Sequence, residues 1–284
     1  MCRFVLYRGP ALRLSTLVTE PTNSLIRQSF HSREQEDPVN GDGFGLAWYA
    51  PEVHDEPALF RSVTPAWNNQ NLLELARVVR SSLVFAHVRA ATKHGGQSEA
   101  NCHPFRSGRH VFMHNGDVGD FAHLRRPLLE SLSDPAFDTI AGTTDSEHVF
   151  GLVVDELAKA KGKGADRLSA ALQRAIARVQ ALSEKYGSGK PSYLNMALSD
   201  GEFAVACRFT NHEGYDGESL FVHTGRLYVC DGNVCRMLAP ERGHGCVLVS
   251  SEPLSDDQGW NMMPRNSLVR VGERGDAEVA PLSL

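Results

Sequence analysis

The second residue of the chain is a cysteine, and its position could make it a nucleophile. Removal of Met1 would leave Cys2 with a free α-amine beside its thiol. An α-amine titrates near pH ~7.7–8.0, so it can accept the thiol proton at physiological pH. One residue would then supply both nucleophile and base, as in enzymes with an N-terminal threonine. The alternative is that Cys2 is a small apolar residue in a buried strand, and position alone does not decide between them.

A second candidate is the Asn115-Gly116 pair at the end of the apolar segment 111–114. A strand ending in this pair can direct a side-chain amide and a backbone N–H at one point. An oxyanion hole requires such a pair of donors. Asn-Gly is also the strongest short signal for a type I′ hairpin turn, and this alternative is favoured when the pair is considered alone.

Two charged residues could bind the head group of an α-amino acid. Arg89 follows an apolar segment, and its guanidinium could hold a carboxylate through two hydrogen bonds. The alternative is an arginine that leaves the sheet for solvent. Asp145 opens a predicted helix and could bind an ammonium group, although capping is the commonest role there. His103 precedes Pro104, and its alternative role is to support a pocket wall.

A metal site or a nucleotide site would each need its own residue spacing. The glycines of segment 40–45 lack the strand–G-x-G-x-x-G–helix context, so no dinucleotide cofactor is expected. Neither candidate metal set matches a zinc ribbon or zincin spacing, and we expect no metal. The two sets are His87, His103 and His114, and Cys230, Cys235, His244 and Cys246.

The elements that must position these residues follow from the apolar pattern. Strands, then helices, then strands, without a repeat or a long linker, predict one layered α+β domain over residues 1–284, with the mature chain starting at Cys2. The predicted strands are 2–9, 42–50, 83–91 and 110–114; the predicted helices are 68–80, 121–132, 145–161 and 167–185; and residues from about 191 to 272 are rich in strands.

Composition limits the class of partner. The net charge is −5, whereas a nucleic-acid partner normally requires a basic face. No apolar run is long enough to span a membrane, and the N-terminus lacks the features of a signal peptide. These observations predict a cytoplasmic protein. Its six cysteines are expected to be reduced thiols without a disulfide framework.

The order of these motifs resembles the type-2, or class II, glutamine amidotransferase domain. The chain is more similar to the stand-alone subfamily that degrades glutathione in the fungal DUG pathway, and more distantly similar to the γ-glutamyl amidohydrolase of ergothioneine biosynthesis. Segments 1–4, 40–45, 64–71, 83–90 and 251–254 carry the subfamily resemblance. The family motifs are Cys2, Arg89-x-x-Thr92, Asn101-x-His103-Pro104, His114-Asn115-Gly116 and Thr144-Asp145-Ser146-Glu147.

The resemblance implies a four-layer αββα sandwich of the N-terminal-nucleophile hydrolase type. It also implies a role for each matching position. Cys2 would be the nucleophile, and its amine the base. Asn115 and the Gly116 N–H would form the oxyanion hole, Arg89 would bind the glutamyl α-carboxylate, Asp145 would bind the ammonium, and Thr92 and His103 would be supporting pocket residues.

The expected reaction is hydrolysis of a γ-glutamyl amide through a thioester at Cys2. The strand-rich tail lacks the length and signatures of a synthase domain, and Ala90 replaces a tryptophan that some synthase-linked family members carry. Glutathione or a related γ-glutamyl thiol compound is therefore the expected substrate, and the resemblance suggests a peptidase-like protein partner. Alternatives are a glutaminase subunit that feeds a separate synthase, an acylase for other amides, a non-catalytic binding subunit and a metallohydrolase.

Overall fold

The computed structural model describes residues 2–34, 39–91, 96, 98–232, 234–240 and 245–284. Strands in these ranges are β1 (Arg3–Arg13), β2 (Phe44–Ala50), β3 (His54–Ser62), β4 (Arg80–Val88), β5 (Phe105–Ser107), β6 (His110–Asp117), β7 (Tyr193–Ser199), β8 (Ala204–Arg208), β9 (Phe221–Gly225), β10 (Leu227–Asp231), β11 (Val234–Leu238), β12 (Cys246–Ser250), β13 (Asn261–Met262), β14 (Ser267–Val271) and β15 (Ala277–Pro281). The α-helices are α1 (Ser15–Val18), α2 (Leu25–Gln28), α3 (Gln70–Val78), α4 (Phe121–Glu130), α5 (Asp134–Phe137), α6 (Asp145–Lys159) and α7 (Gly164–Tyr186).

Two antiparallel sheets form the centre of the molecule. The first sheet has the strand order β13-β9-β12-β1-β4-β2-β3, and the second has the order β15-β14-β8-β7-β6-β5. Strands β10 and β11 form a separate hairpin. Strands β1–β4 belong to the first sheet and β5–β8 to the second, and the chain then returns to each sheet once more. The single domain over residues 1–284 stays a prediction.

Alternating side chains on the strands divide the interior into three apolar cores. On β1, Phe4 and Leu6 belong to the core between the sheets, whereas Val5 and Tyr7 face the core under α1, α2, α3 and the hairpin. On β6, Phe112 belongs to a third core, shared with α4, α6 and α7. The layers are therefore helix, sheet, sheet, helix, and the prediction of an αββα sandwich is confirmed.

Several boundaries differ from the sequence prediction. The predicted strand 83–91 is β4, which ends at Val88, so Arg89 lies just beyond it. The predicted helix 68–80 is α3, and its N-cap is Asn69, whose side chain accepts a hydrogen bond from the Leu72 N–H at 2.8 Å. Strand β3 was not predicted. It is an edge strand that pairs with β2 alone and contains Pro57, a residue that edge strands tolerate.

The expectation of six reduced thiols is wrong for one pair. Cys230 and Cys235 form a disulfide, with their Cα atoms 4.0 Å apart. They lie directly opposite each other on β10 and β11, and cross-strand neighbours bring two Cβ atoms within bonding reach. These two sulfurs are therefore not free to ligate a metal. His244, from the same candidate metal set, lies outside the described residues.

In the described part of the chain, no helix combines the length and the apolar character that crossing a membrane requires. The cytoplasmic location stays a prediction.

Candidate active site

Cys2 lies at the end of the first sheet, opposite Arg89. Strands β1 and β4 pair with Arg3 opposite Val88, and one further step of this register brings Cys2 to Arg89. The Cys2 thiol donates a hydrogen bond to the Ala90 carbonyl at 3.6 Å. All six cysteines lie in the described residues, and among the four free ones only Cys2 is not buried. Cys2 is therefore the free cysteine that the described fold leaves partly accessible.

The surroundings of Cys2 oppose spontaneous ionisation of its thiol. Burial raises the pKa of the Cys2 thiol above its ordinary value, while the positive charges of Arg89 and Arg3 act in the opposite direction. Only the thiolate is nucleophilic, so this cysteine needs a nearby base to react.

Arg89 is held by the turn that precedes β2. The backbones of Arg89 and Asp42–Gly43 exchange hydrogen bonds of 3.0 and 2.8 Å, and the Asp42 carboxylate accepts the Ala91 N–H at 2.7 Å. The Arg89 guanidinium donates to the Asp42 carbonyl at 3.2 Å. Arg89 is only 3% exposed, so the solvent alternative is wrong. Since a guanidinium has five N–H donors, Arg89 can still grip a carboxylate.

Asn115 and Gly116 lie within β6, paired with Asn195 and Leu194 of β7, so the hairpin-turn alternative is wrong. Gly116 has φ +154°, and a Cβ there would lie 1.7 Å from the Tyr193 carbonyl oxygen. Only glycine therefore permits this close approach of the two strands.

The side chain of Asn115 is 1% exposed. Among the described residues, nothing donates a hydrogen bond to its Oδ1. An amide oxygen only accepts hydrogen bonds, so this atom cannot stabilise an oxyanion, and the oxyanion-hole role of Asn115 stays a prediction that concerns its Nδ2 donors.

Asp145 is the first residue of α6, but it is not the cap. The N-cap is Thr144, whose side chain accepts from the Glu147 N–H, so the capping alternative for Asp145 is wrong. The Asp145 carboxylate accepts hydrogen bonds from the N–H groups of Val118 at 2.9 Å and Ser146 at 2.8 Å. These contacts join the start of α6 to the segment that follows β6.

A cavity of about 840 Å³ borders Asp145. Its wall includes Asp117, Phe121 and Arg125, but Cys2 is not part of its lining.

His87, His103 and His114 form a buried cluster, in which His87 lies on the face of β4 between the sheets and His114 lies on the face of β6 toward α6. The His87 Nε2–H donates to the His114 carbonyl at 3.2 Å, and the His87 and His103 rings stack with centroids 4.2 Å apart. Burial lowers the pKa of His87 to about 3 and also lowers those of His103 and His114. In the described ranges, no group of three or more His, Cys, Asp or Glu side chains is arranged to hold a metal.

His114 connects this cluster to Asp145. Its Nε2 lies 3.1 Å from the Tyr193 carbonyl, which can only accept, so the proton is on Nε2. Its Nδ1 therefore accepts from the Ser146 hydroxyl at 2.9 Å. Ser146 follows Asp145, so one neutral imidazole links the oxyanion-hole candidate strand to the start of α6.

Of the two predicted supporting residues, the structure describes His103 but not Thr92. His103 is buried between His87 and Phe105, and its two ring nitrogens have no hydrogen-bond partner among the described residues. This packing agrees with the wall-supporting alternative, and a direct contact with substrate stays a prediction. Thr92 lies outside the described residues.

Sequence reasoning missed two residues beside Cys2. Arg3 and Glu252 are buried and form an ion pair of 2.7 Å, and Arg3 also donates to the Cys2 carbonyl at 2.8 Å. The available signal was a charged residue at a buried strand position, which implies a buried partner. Proximity in sequence could not identify that partner, because 249 positions separate the two residues.

Comparison with known proteins identifies the family. Residues 14–281 match the model for class-II glutamine amidotransferases. The chain belongs to this family. It is 39% identical to the probable glutamine amidotransferase DUG3 of Saccharomyces cerevisiae over 292 residues, which cover 95% of this chain and 82% of that protein.

Two further similarities extend over nearly the whole chain. The γ-glutamyl-hercynylcysteine sulfoxide hydrolase of Mycobacterium tuberculosis (strain CDC 1551 / Oshkosh) is 26% identical over 277 residues, covering 97% of this chain and 94% of that protein. A solved glutamine aminotransferase class-II domain protein from Silicibacter pomeroyi superposes with a TM-score of 0.70 at 27% identity, covering 100% of both chains. The predicted N-terminal-nucleophile type of sandwich is confirmed.

Proposed function

We propose that this protein is a γ-glutamyl amide hydrolase that uses Cys2, freed of Met1, as an N-terminal nucleophile. The observation that carries the proposal is the half-buried thiol of Cys2 held opposite the buried guanidinium of Arg89. Membership of the class-II amidotransferase family supports amide chemistry at a γ-glutamyl group. The name of the similar γ-glutamyl-hercynylcysteine sulfoxide hydrolase supports a cysteine-containing γ-glutamyl compound as substrate, a class that includes glutathione.

The proposed reaction proceeds in two acyl-transfer steps. The α-amine of Cys2 takes the thiol proton, and the thiolate attacks the γ-carbonyl carbon. The resulting oxyanion is stabilised by the Asn115 amide and the Gly116 N–H. The leaving amine takes the proton back as the carbon–nitrogen bond breaks. Water, deprotonated by the same α-amine, then hydrolyses the thioester and releases glutamate.

Recognition of the glutamyl group is assigned to two charged residues. Arg89 binds the α-carboxylate, because a planar guanidinium can donate two parallel hydrogen bonds to it. Asp145 binds the α-ammonium; each of its oxygens already accepts a backbone N–H and retains further lone pairs. Thr92 and His103 complete the pocket as supporting residues. A peptidase-like partner is also part of the proposal and would process the remaining dipeptide.

The test is glutamate release from glutathione, glutamine and other γ-glutamyl amides. Intact mass spectrometry first establishes that Met1 is absent. We expect release from glutathione or another γ-glutamyl thiol compound, and none from the Cys2→Ala variant. Cys207→Ala is the matched control, since this buried thiol lies in the core between the second sheet and the helices.

Other outcomes would identify the alternatives. Turnover of glutamine alone would indicate a glutaminase subunit that supplies a separate synthase. Binding of γ-glutamyl compounds without turnover, by a chain lacking Met1 and with a peptidase-like partner present, would indicate a non-catalytic subunit. Undiminished activity in Cys2→Ala would refute the proposed mechanism.

A further inference from the structure

An ion pair without solvent access lies directly beneath Cys2. Arg3 is 2% exposed and Glu252 is 0% exposed, and the Arg3 Nε donates to Glu252 Oε1 at 2.7 Å. Removing two charges from water is costly, and such pairs contribute little net stability compared with apolar residues of similar size. A nearby pair, Arg33 with Asp256, spans 2.6 Å but is exposed and carries no such cost. The buried pair is therefore better explained by what it holds in place.

Among the described residues, the guanidinium of Arg3 contacts three partners at once. Besides Glu252, it donates from Nη1 to the Cys2 carbonyl at 2.8 Å and from Nη2 to the Ser32 hydroxyl at 2.7 Å. Because the guanidinium is planar and rigid, fixing Nε and Nη2 also fixes the direction of Nη1. The carboxylate of Glu252 thus determines where the donor to Cys2 points.

Glu252 is itself held from several sides. Its Oε1 accepts from the Ser32 hydroxyl at 2.5 Å, and its Oε2 accepts from the Arg33 N–H at 2.9 Å and the Asn23 amide at 3.4 Å. Burial opposes ionisation, yet these hydrogen bonds and the Arg3 charge keep the pKa of Glu252 below its ordinary value. The carboxylate is therefore charged at neutral pH and strongly anchored.

The residue before Glu252 holds the next part of β1. The Ser251 N–H donates to the Phe4 carbonyl at 3.1 Å, and the Phe4 N–H donates to the Ser251 hydroxyl at 3.0 Å. Once Met1 is removed, Cys2 has no preceding peptide group, and its own carbonyl becomes its backbone anchor. A hydrogen bond to that carbonyl restricts rotation of the Cys2 backbone, and with it the directions of the amine and the thiol.

We propose that Arg3 and Glu252 are positioning residues that orient Cys2 for catalysis. The inference rests on the proposed function, because it assumes that the amine and thiol of Cys2 act together. Neither residue touches substrate. Their effect is transmitted through the Cys2 carbonyl, so their loss should slow the chemical step and leave the glutamyl contacts of Arg89 and Asp145 in place.

Three variants of decreasing severity test this inference. Glu252→Gln removes the anchoring charge, whereas Arg3→Lys keeps a charge but cannot donate in three fixed directions. Ser32→Ala removes a single hydroxyl from the network and should fold normally. Asp256→Asn is the matched control, because it removes a neighbouring carboxylate that is exposed. Mass spectrometry checks Met1 removal, and thermal melting checks folding, in every variant.

We expect kcat to fall about 10- to 100-fold in the first two variants, since misplacing a reacting group by about 1 Å can cost about 100-fold. KM should stay within about threefold, and Ser32→Ala should lose about threefold in kcat, as expected for the loss of one hydrogen bond from the network. Alkylation of Cys2 by iodoacetamide gives a second readout without substrate. Arg3→Lys keeps the positive charge near Cys2, so a change in charge cannot explain an altered pH profile in this variant. A shift of its alkylation midpoint to higher pH would therefore indicate that the Cys2 amine is misoriented.

Two results would overturn the inference. One is wild-type kcat and alkylation behaviour in folded Arg3→Lys, Glu252→Gln or Ser32→Ala. The other is a loss of activity that matches only the fraction of unfolded protein. If wild-type enzyme turns over no γ-glutamyl compound, the proposed function fails, but the alkylation comparison still decides whether Arg3 and Glu252 orient Cys2.

Discussion

Acidification should destabilise the protein through its buried histidines. His87 is buried, and its pKa is lowered to about 3 because burial disfavours the imidazolium. In the unfolded chain the same residue titrates near pH ~6.5. Below pH ~6.5, His87 therefore binds a proton in the unfolded chain but not in the folded protein. The stability is therefore fully present above pH ~6.5 and is lost progressively as the pH falls toward 3.

The size of the effect follows from these pKa values. At pH 5, about 1.5 units below the unfolded value, His87 alone costs about 2 kcal/mol, at about 1.36 kcal/mol per unit. Burial also lowers the pKa values of His103 and His114, so both residues add to the loss of stability in the same direction. Typical domains have only about 5–15 kcal/mol of stability.

The assay is urea denaturation at pH values between 7.5 and 5.0, with His103→Phe as the informative variant. The His103 ring stacks on His87 and Phe105, and its nitrogens have no partner among the described residues, so a phenyl ring can replace it. We expect this variant to lose less unfolding free energy than the wild type between pH 7.5 and pH 5, because burial lowers the pKa of the His103 ring that it removes. His123→Phe, at an exposed position, is the control. An unfolding free energy that does not change between pH 7.5 and 5.0 would refute the reasoning.

Two substitutions test the proposed site more directly. Gly116→Ala would place a Cβ 1.7 Å from the Tyr193 carbonyl oxygen. It should lower the unfolding free energy by more than about 2 kcal/mol and abolish glutamate release, as measured by urea denaturation and an activity assay. Gly189→Ala is the control, because Gly189 also has a positive φ but lies in open space. Arg89→Lys should raise KM about tenfold, because a lysine ammonium cannot hold a carboxylate through two fixed hydrogen bonds. Arg106→Lys, at a half-exposed position, is the control and should leave the kinetics unchanged. Equal KM values in the two variants would contradict the role assigned to Arg89.

Elements with a strong periodic pattern were predictable from the sequence. The apolar pattern predicted the positions of helices α6 and α7 and strands β1, β2 and β6. Such elements are predictable because the spacing of apolar residues along the local sequence indicates which face is buried. Edge strand β3 was missed, since it is partly exposed along most of its length and shows no clear alternation.

Features that depend on distant pairing could not be predicted in the same way. The Cys230–Cys235 disulfide required knowledge that the two residues face each other across a hairpin. The partner of Arg3 required the placement of the segment after β12 beside β1. Sequence composition gives the cost of burying a charge, but only the fold identifies the residue that offsets it.

The candidate site was predictable in its residue types and less so in its arrangement. The order of Cys2, Arg89, Asn115 and Asp145 suggested a γ-glutamyl site, and the structure puts the first two on one sheet and the others on or beside the second. Their catalytic roles stay predictions. The relation between the two groups depends on how the sheets pack, and no local pattern specifies that packing.

The packing of the two sheets therefore links stability to the proposed chemistry. The proposed nucleophile lies at the end of the first sheet and the proposed oxyanion donors lie in the second, so the proposed reaction requires a fixed separation between the sheets. The contact of the His87 imidazole with the His114 carbonyl bridges the sheets at this point. Protonating His87 would place an unpaired charge in this buried contact. Folded His87 stays neutral until about pH 3, so acid should unfold the chain before it protonates this contact, and His103→Phe should move the unfolding transition to lower pH.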